Sequence, residues 1–136
     1  MNSGINKLPV VYFVYNWYKP AYKAGGPVRS LENCANFLKD QLDLRIVCSN
    51  KEYDGKRLSV TPDCWLPVDG IHVYYCSKNW PGLNGPDSVG STKFINGLYS
   101  IRYTLAPAIR LKGRKIISVR GMLHPGALSQ KRLKKA

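Results

Sequence analysis

The C-terminal third of this 136-residue chain contains no acidic residue. Residues 88–136 carry eleven Lys and Arg side chains and no Asp or Glu, whereas residues 1–87 carry ten basic and eight acidic side chains. The formal net charge of +13 is therefore concentrated near one end of the chain. A positive field of this kind suits a nucleic acid, an anionic membrane surface or a phosphate-bearing small substrate, and it also suits a solvated face without a partner.

The chain also lacks a long hydrophobic run. Its first apolar stretch, residues 10–15, is too short for a transmembrane helix or for the core of a secretory signal. No internal repeat or low-complexity tract is present, and 44% of the residues are apolar, which is enough for one folded domain. We therefore expect a cytoplasmic protein, with peripheral attachment to the inner face of the membrane left open.

None of the four cysteines belongs to a C-x-x-C pair, the spacing typical of metal and redox sites. Cys34 is predicted on the apolar face of a helix, and Cys48 and Cys76 at the ends of strands. This placement predicts reduced thiols in the core of a cytosolic protein.

Apolar segments alternate with amphipathic segments along the chain. Strands are predicted at 9–15, 44–49, 71–76, 93–98 and 115–119, and helices at 27–42 and 100–113, the second kinked or broken at Pro107. Residues 50–70 are predicted to form a long connection. The alternation predicts a single α/β domain over residues 1–136, with an open, mainly parallel, Rossmann-like sheet and helices on both faces.

A glycine-rich turn, Ala24-Gly25-Gly26-Pro27-Val28-Arg29-Ser30, precedes the first predicted helix. Pro27 suits the first helical position, and the free N–H groups and positive dipole at such a helix start attract an anion. Glycine would let a ligand approach the backbone closely. Neither G-x-G-x-x-G nor the P-loop pattern is present, so a purely steric role for the glycines is the alternative.

Ligands of open α/β sheets bind beyond the carboxyl ends of the strands. The glycine-rich turn, residues 96–100 and residues 120–126 each follow a predicted strand. We therefore expect these three segments to converge on one crevice. His72 alternates with apolar residues and is interpreted as an ordinary strand residue.

Five motifs occur in order along nearly the whole chain: Tyr18-x-Pro20, Ala24-Gly25-Gly26-Pro27-Val28-Arg29-Ser30-Leu31, Val47-Cys48-Ser49-Asn50, Asn96-Gly97-Leu98-Tyr99-Ser100 and Arg120-Gly121-Met122-Leu123-x-Pro125-Gly126-Ala127-Leu128-Ser129. Together they resemble the N-terminal domain of bacterial family 4 glycosyltransferases, which have the GT-B fold. The resemblance implies a retaining enzyme that transfers a sugar from a nucleotide-sugar donor to a glycan or lipid-linked acceptor, in the synthesis of lipopolysaccharide or another cell-surface polysaccharide. It also implies that residues 1–136 are the acceptor-side half of a two-domain enzyme. The donor domain is then absent, and the chain alone is expected to be inactive.

The resemblance also implies two groups of site residues, though no catalytic residue. The residues expected to face the donor phosphates are Gly25, Gly26 and Arg29. The residues expected at the acceptor and transfer site are Asn96, Ser100, Arg120 and His124. Arg29 can equally point to solvent from its helix, and His124 is more readily explained as an ordinary loop histidine than as a catalytic residue.

No cofactor and no metal site are expected beside the donor substrate. A departing nucleoside diphosphate develops negative charge, which helix N-termini and Arg or Lys side chains stabilise electrostatically. The sequence lacks a DxD-like carboxylate pair for Mg²⁺, and Asp54 and Asp63 stand alone in their predicted loop. Metal-independent transfer is the resulting expectation.

Two alternatives start from the basic third of the chain. A nucleic-acid-binding module would interleave basic with aromatic residues or show an RRM, KH or helix-turn-helix pattern, and none of these patterns is found. Docking on an anionic membrane is compatible with sugar transfer to a lipid-linked acceptor. The residues available for docking are Arg102, Arg110, Lys112, Arg114, Lys115 and the cationic cluster at 131–135.

Overall fold

The computed structural model describes residues 8–77, 91–96, 102–103, 106–111 and 113–118. Within these ranges the chain forms six strands, one short 3-10 turn and two α-helices. In chain order the elements are β1 (Val10–Val14), the 3-10 turn (Tyr22–Ala24), α1 (Gly26–Leu38), β2 (Asp43–Ser49), β3 (Trp65–Val68), β4 (Ile71–Cys76), β5 (Thr92–Asn96), α2 (Ala106–Arg110) and β6 (Arg114–Ser118).

The six strands form one sheet in the order β3-β4-β2-β1-β5-β6. Every neighbouring pair is parallel except β3 and β4, which are antiparallel. The prediction of an α/β domain with a mainly parallel sheet is therefore confirmed. The chain progresses outward from β1 in both directions, with β2 on one side and β5 on the other. Such a reversal of strand order leaves a crevice at the carboxyl ends of the two inner strands.

Each face of the sheet is covered by a different segment. Leu31 and Ala35 of α1 pack on the face that carries Phe13 and Ile46. The opposite face buries Val14, Val47 and Ile95 against Tyr103, Leu111 and the α2 residue Ala108. Because β1 and β2 are buried on both faces, they are rich in β-branched and aromatic residues rather than alternating with polar ones.

The connection predicted at residues 50–70 contains a strand, which corrects that prediction. β3 pairs with β4 from Trp65 opposite Tyr74 to Val68 opposite Ile71. Pro67 interrupts the apolar pattern of β3, and proline is tolerated there because β3 is an edge strand.

The prediction for the first helix is also corrected at its end and on one face. α1 ends at Leu38 rather than at Leu42. Its buried stripe consists of Val28, Leu31 and Ala35, and Cys34 is exposed. Cys48 and Cys76 are buried free thiols at the ends of their strands, as predicted.

The structure describes the second predicted helix in part, as α2. α2 begins at Ala106 and has Pro107 in its first turn, where proline is tolerated. Pro107 and Leu111 are buried, joined by a hydrogen bond of 3.0 Å from the Leu111 N–H to the Pro107 carbonyl oxygen, and Ile109 is exposed. The prediction that Ile109 belongs to the buried face is therefore wrong.

Candidate functional site at the carboxyl ends of the strands

Residues 15–25 form the connection from β1 to α1, which is much longer than a tight turn. The connection crosses the α1 side of the sheet, where the Tyr75 hydroxyl donates a hydrogen bond to the Lys19 carbonyl oxygen at 2.5 Å. The buried Lys19 ammonium pairs with Glu32 of α1 at 3.2 Å and with Asp69 in the β3–β4 turn. These contacts fix the path of the chain before it reaches the two glycines.

Gly25 and Gly26 stand at the start of α1 and have different structural roles. Gly25 has φ +80° and ψ −137°, a conformation that L side chains rarely adopt, and its N–H donates to the Tyr22 carbonyl oxygen at 3.0 Å. Gly26 is helical, and a Cβ placed on it would meet no atom within 4 Å. The fold therefore requires glycine at position 25, whereas the space beside position 26 is open.

The N-terminus of α1 lacks a protein cap in the described part of the chain. No side chain there makes a capping hydrogen bond, and Pro27 occupies the first turn without an N–H group. The positive end of the helix dipole therefore faces the open space beside Gly26. An anionic group is the ligand that this arrangement favours.

The loops that follow β1 and β2 are joined beside this helix start. The backbone N–H of Lys23 donates to Glu52 Oε1 at 3.1 Å, and its ammonium donates to Asp54 Oδ2 at 2.8 Å. The hydrogen bond from Lys23 lowers the pKa of the Asp54 carboxyl. The rings of Trp17 and Tyr53 lie 5.4 Å apart between the same two loops. These contacts hold one rim of the crevice in place.

Asn96 lies in a groove between α1 and the ends of β5 and β6. The groove has a volume of about 190 Å³ and is lined by Ser30, Asn96 and Ser118 together with apolar side chains that include Phe13 and Phe94. Asn96 is buried and closes the carboxyl end of β5. A mostly apolar groove with a few converging polar groups has the composition of a small-molecule site.

The predicted site residues are only partly brought together. Asn96 shares its groove with Ser30, one turn of α1 beyond Gly26, but neither glycine lines that groove. Arg29 is exposed and lies over the Tyr22 ring, with its guanidinium carbon 5.4 Å from the ring centroid. Ser100, Arg120 and His124 lie outside the described residues.

Asn50 is a further candidate that the sequence interpretation missed. It directly follows β2 at the same edge of the sheet, it is buried, and its Oδ1 has no hydrogen-bond partner within the described ranges. Its backbone N–H donates to the Cys76 carbonyl oxygen at 3.0 Å, which fixes its position. A buried amide oxygen without a partner is an acceptor for a ligand hydroxyl. The sequence indicates Asn50 through its place immediately after a predicted strand. Many asparagines with a purely structural role occupy the same kind of position, so this signal alone does not identify a binding residue.

Tyr18 carries a buried hydroxyl that bonds to no described residue. Burial raises the pKa of this phenol to about 12. We expect Tyr18→Phe to raise the free energy of unfolding by about 1 kcal/mol, because it removes a buried polar group without a partner. The pKa of Tyr18 in the folded protein lies above the ordinary tyrosine value of about 10. The free energy of unfolding therefore falls as the pH rises from the ordinary value toward the folded value, and this fall should be smaller in Tyr18→Phe.

Chemical denaturation at neutral and alkaline pH measures both effects. Tyr75→Phe is the matched control, since its hydroxyl bonds to the Lys19 carbonyl oxygen and its removal should destabilise the protein. If Tyr18→Phe destabilises as much as Tyr75→Phe, the Tyr18 hydroxyl has a partner and the prediction is wrong.

Two further observations concern the described part of the chain alone. No three His, Cys, Asp or Glu side chains lie together there as potential ligands of a metal ion. Neither of its helices has the length and apolar character of a membrane-spanning segment. His72 is exposed on β4, as an ordinary strand residue can be.

The chain was also compared with known proteins. No family model, no curated protein and no solved structure matches it. Any assignment of function therefore depends on the residues and on the geometry of the crevice.

Proposed function

We propose that the chain is the acceptor-side domain of a retaining glycosyltransferase with the GT-B fold, a Rossmann-like domain that works opposite a donor domain in further polypeptide. The reaction would move a sugar from a nucleotide-sugar donor to a glycan or lipid-linked acceptor of a cell-surface polysaccharide. The sequence motifs motivate this proposal. The observation that carries it is the uncapped start of α1, with open space beside Gly26.

The geometry at α1 supports binding of the donor diphosphate. A diphosphate beside Gly26 would meet the positive end of the α1 dipole, and the missing Cβ allows close approach to the backbone. Arg29, in the same first turns of the helix, is held by Tyr22 and brings a second positive charge near that space. In the transfer reaction the leaving diphosphate gains charge, and these fixed groups would stabilise it.

The groove beside α1 supports binding of the acceptor. The apolar floor of the groove contains Phe13 and Phe94, whose ring centroids lie 5.2 Å apart. The polar groups that line the groove are the hydroxyls of Ser30 and Ser118 and the amide of Asn96. Sugar hydroxyls require donors and acceptors of this kind, and the apolar floor suits the C–H face of a sugar ring. The groove and the α1 N-terminus lie one helical turn apart, on the same side of the sheet.

Sugar transfer by the complete polypeptide tests this proposal, with a panel of nucleotide-sugar donors and Gly26→Asp as the variant. An aspartate in the first turn of a helix favours the helix dipole, so folding should be unaffected. The same carboxylate would repel the donor phosphates, and we expect transfer to fall by about a hundredfold or more.

Asn33→Asp is the matched control, because it adds the same charge at an exposed position in the middle of α1, away from both ends of the helix dipole. It should leave both transfer and melting temperature unchanged. Full activity of Gly26→Asp would show that the glycine-rich turn has only a structural role. Absence of transfer by the unsubstituted protein with every donor would remove the glycosyltransferase proposal itself.

A further inference from the structure

Residues 50–58 directly follow β2 and form a closed hairpin at the carboxyl edge of the sheet. At its base the Leu58 N–H donates to the Asn50 carbonyl oxygen at 2.8 Å, and nearer its tip the Glu52 N–H donates to the Lys56 carbonyl oxygen at 2.8 Å. These backbone hydrogen bonds fix the shape of the segment, which is named here the 50–58 hairpin.

The tip of this hairpin is attached to the connection from β1 to α1. Lys23 in that connection donates through its backbone N–H to Glu52 at 3.1 Å and through its ammonium to Asp54 at 2.8 Å. Tyr53 lies between these two acceptors in sequence, and its ring centroid is 5.4 Å from that of Trp17 in the same connection. The ring of Tyr53 is therefore positioned both by the attached backbone and by a neighbouring ring.

Most of the Tyr53 side chain nevertheless remains in contact with solvent, with 64% of its area exposed. Trp17 is half-buried and meets the buried Tyr15 edge-on, with ring centroids 5.8 Å apart. The three rings thus lead from the core to the surface. A ring that is already ordered binds a ligand at low cost in conformational entropy. Trp17 and Tyr53 are named here the aromatic platform.

The 50–58 hairpin provides both hydrogen-bond donors and acceptors next to this platform. The carboxylates of Glu52 and Asp54 flank Tyr53 in sequence. The two arms of the hairpin also carry three exposed cationic side chains: Lys51, Lys56 and Arg57. A ligand rich in hydroxyl groups can use both kinds of side chain, because a hydroxyl donates to a carboxylate and accepts from a cation.

We propose that the aromatic platform binds a glycan chain, with one sugar ring stacked on the exposed surface of Tyr53. A pyranose ring has an apolar C–H face that packs on an aromatic ring, and the hydroxyls at its edge suit the donors and acceptors of the hairpin. A single-stranded nucleic acid also stacks its bases on aromatic side chains. Its phosphates would be repelled by the carboxylates of Glu52 and Asp54, so the uncharged hydroxyls of a glycan are the better match.

The platform and the groove at Asn96 lie on different sides of β1 in the sheet. The hairpin follows β2, whereas the groove lies between α1 and the ends of β5 and β6. The two sites are therefore separate. One consequence rests on the proposed function: the acceptor is then an oligosaccharide, with its growing end in the groove and an earlier sugar of the same chain on the platform.

Calorimetric titration of the 136-residue chain with oligosaccharides tests the platform. The probes are neutral oligosaccharides of glucose, galactose and N-acetylglucosamine, each compared with its monosaccharide. We expect a longer chain of at least one of these sugars to bind, and Tyr53→Ala to weaken that binding about tenfold. Tyr53→Phe should bind nearly as tightly as the unsubstituted chain, because it keeps the ring.

Phe37→Ala is the matched control, since it removes a ring that is 75% exposed on α1. It should leave glycan binding unchanged. Both Phe37→Ala and Tyr53→Ala should keep the melting temperature of the unsubstituted chain, because both side chains are largely exposed. In sugar transfer by the complete polypeptide, Tyr53→Ala should raise KM more for a long acceptor than for a short one.

Several results would overturn the proposal. Absence of binding by every oligosaccharide would do so, as would binding that Tyr53→Ala leaves unchanged or that Phe37→Ala weakens equally. Binding of a mixed-sequence oligonucleotide that is lost in Tyr53→Ala, without binding of any glycan, would assign the platform to nucleic acid. The titration requires neither donor nor transfer. Glycan binding without transfer would therefore keep the platform and remove the proposed activity, whereas transfer without glycan binding would do the reverse.

Discussion

Lys19→Met is expected to lower the free energy of unfolding by about 2 kcal/mol. The Lys19 side chain is only 10% exposed, and its ammonium pairs with two carboxylates, Glu32 at 3.2 Å and the more exposed Asp69. Methionine keeps most of the aliphatic stem but removes the charge, which leaves the Glu32 carboxylate with its side chain only 21% exposed and without its cation. Removing one partner of a fully buried ion pair costs roughly 3–5 kcal/mol. We expect a smaller loss here because water still reaches part of Glu32.

Chemical denaturation measures this loss, and two variants isolate its cause. In the double variant Lys19→Met/Glu32→Gln no uncompensated carboxylate remains at position 32, so part of the stability should return. Lys23→Met is the surface control, because the Lys23–Asp54 pair is largely exposed and its removal should have a much smaller effect. If Lys19→Met costs no more than Lys23→Met, the ion pair does not hold the 15–25 connection.

Acidification provides an independent measurement of the same contact. The hydrogen bond from Lys19 lowers the pKa of the Asp69 carboxyl. Because the pKa of Asp69 is lower in the folded protein than in the unfolded chain, this carboxyl stabilises the fold at any pH above its ordinary pKa. The stabilisation is lost as the pH falls through the pKa of the folded state. Lys19→Met removes this contribution, so the loss of stability on acidification should be smaller in the variant than in the unsubstituted chain.

This ion pair also shows where prediction from sequence stops. The apolar runs of β1, β2 and β4 and the start of α1 are local patterns, and they predict those elements because each pattern is complete within one segment. Lys19 is 13 residues from Glu32 and 50 residues from Asp69, and no local pattern connects them. Only the folded sheet brings the three side chains together, and hence determines the path of the chain before Gly25.

The errors in the predicted elements have a similar origin. β3 was missed because Pro67 breaks its apolar pattern, and its place at the edge of the sheet makes that proline harmless. On α2 the buried side chain is that of Pro107 and the exposed one is that of Ile109, because the side of the helix that meets the sheet is set by tertiary packing and not by apolar spacing alone. Both outcomes depend on tertiary position, which a local pattern does not contain.

The candidate site was predictable to the extent that it depends on strand ends. Asn96 closes β5, and Gly25 and Gly26 lie at the start of α1, so the general rule for open α/β sheets places all three near the carboxyl edge. The rule does not give the groove around Asn96, which requires Ser30 and Ser118 from other elements. Nor does it distinguish Gly25 from Gly26, since both are consistent with a glycine-rich turn.

Alanine substitution should separate these neighbouring glycines. Gly25→Ala is expected to lower the free energy of unfolding by about 1 to 3 kcal/mol, because alanine is strained at φ +80°. Gly26→Ala should change it by less than about 1 kcal/mol, and in the stabilising direction, because position 26 is helical, its surroundings are open and alanine has the higher helix propensity. Denaturant titration of the two variants under one set of conditions measures the difference.

The difference in stability between the two alanine variants determines how a loss of sugar transfer in Gly26→Asp is interpreted. If Gly26→Ala leaves stability intact, the fold does not need glycine there, and loss of transfer in Gly26→Asp reports on a ligand that occupies the open space. If Gly26→Ala destabilises as much as Gly25→Ala, both glycines serve the backbone. Loss of activity in Gly26→Asp would then follow from a damaged turn, and the start of α1 would no longer support a diphosphate site.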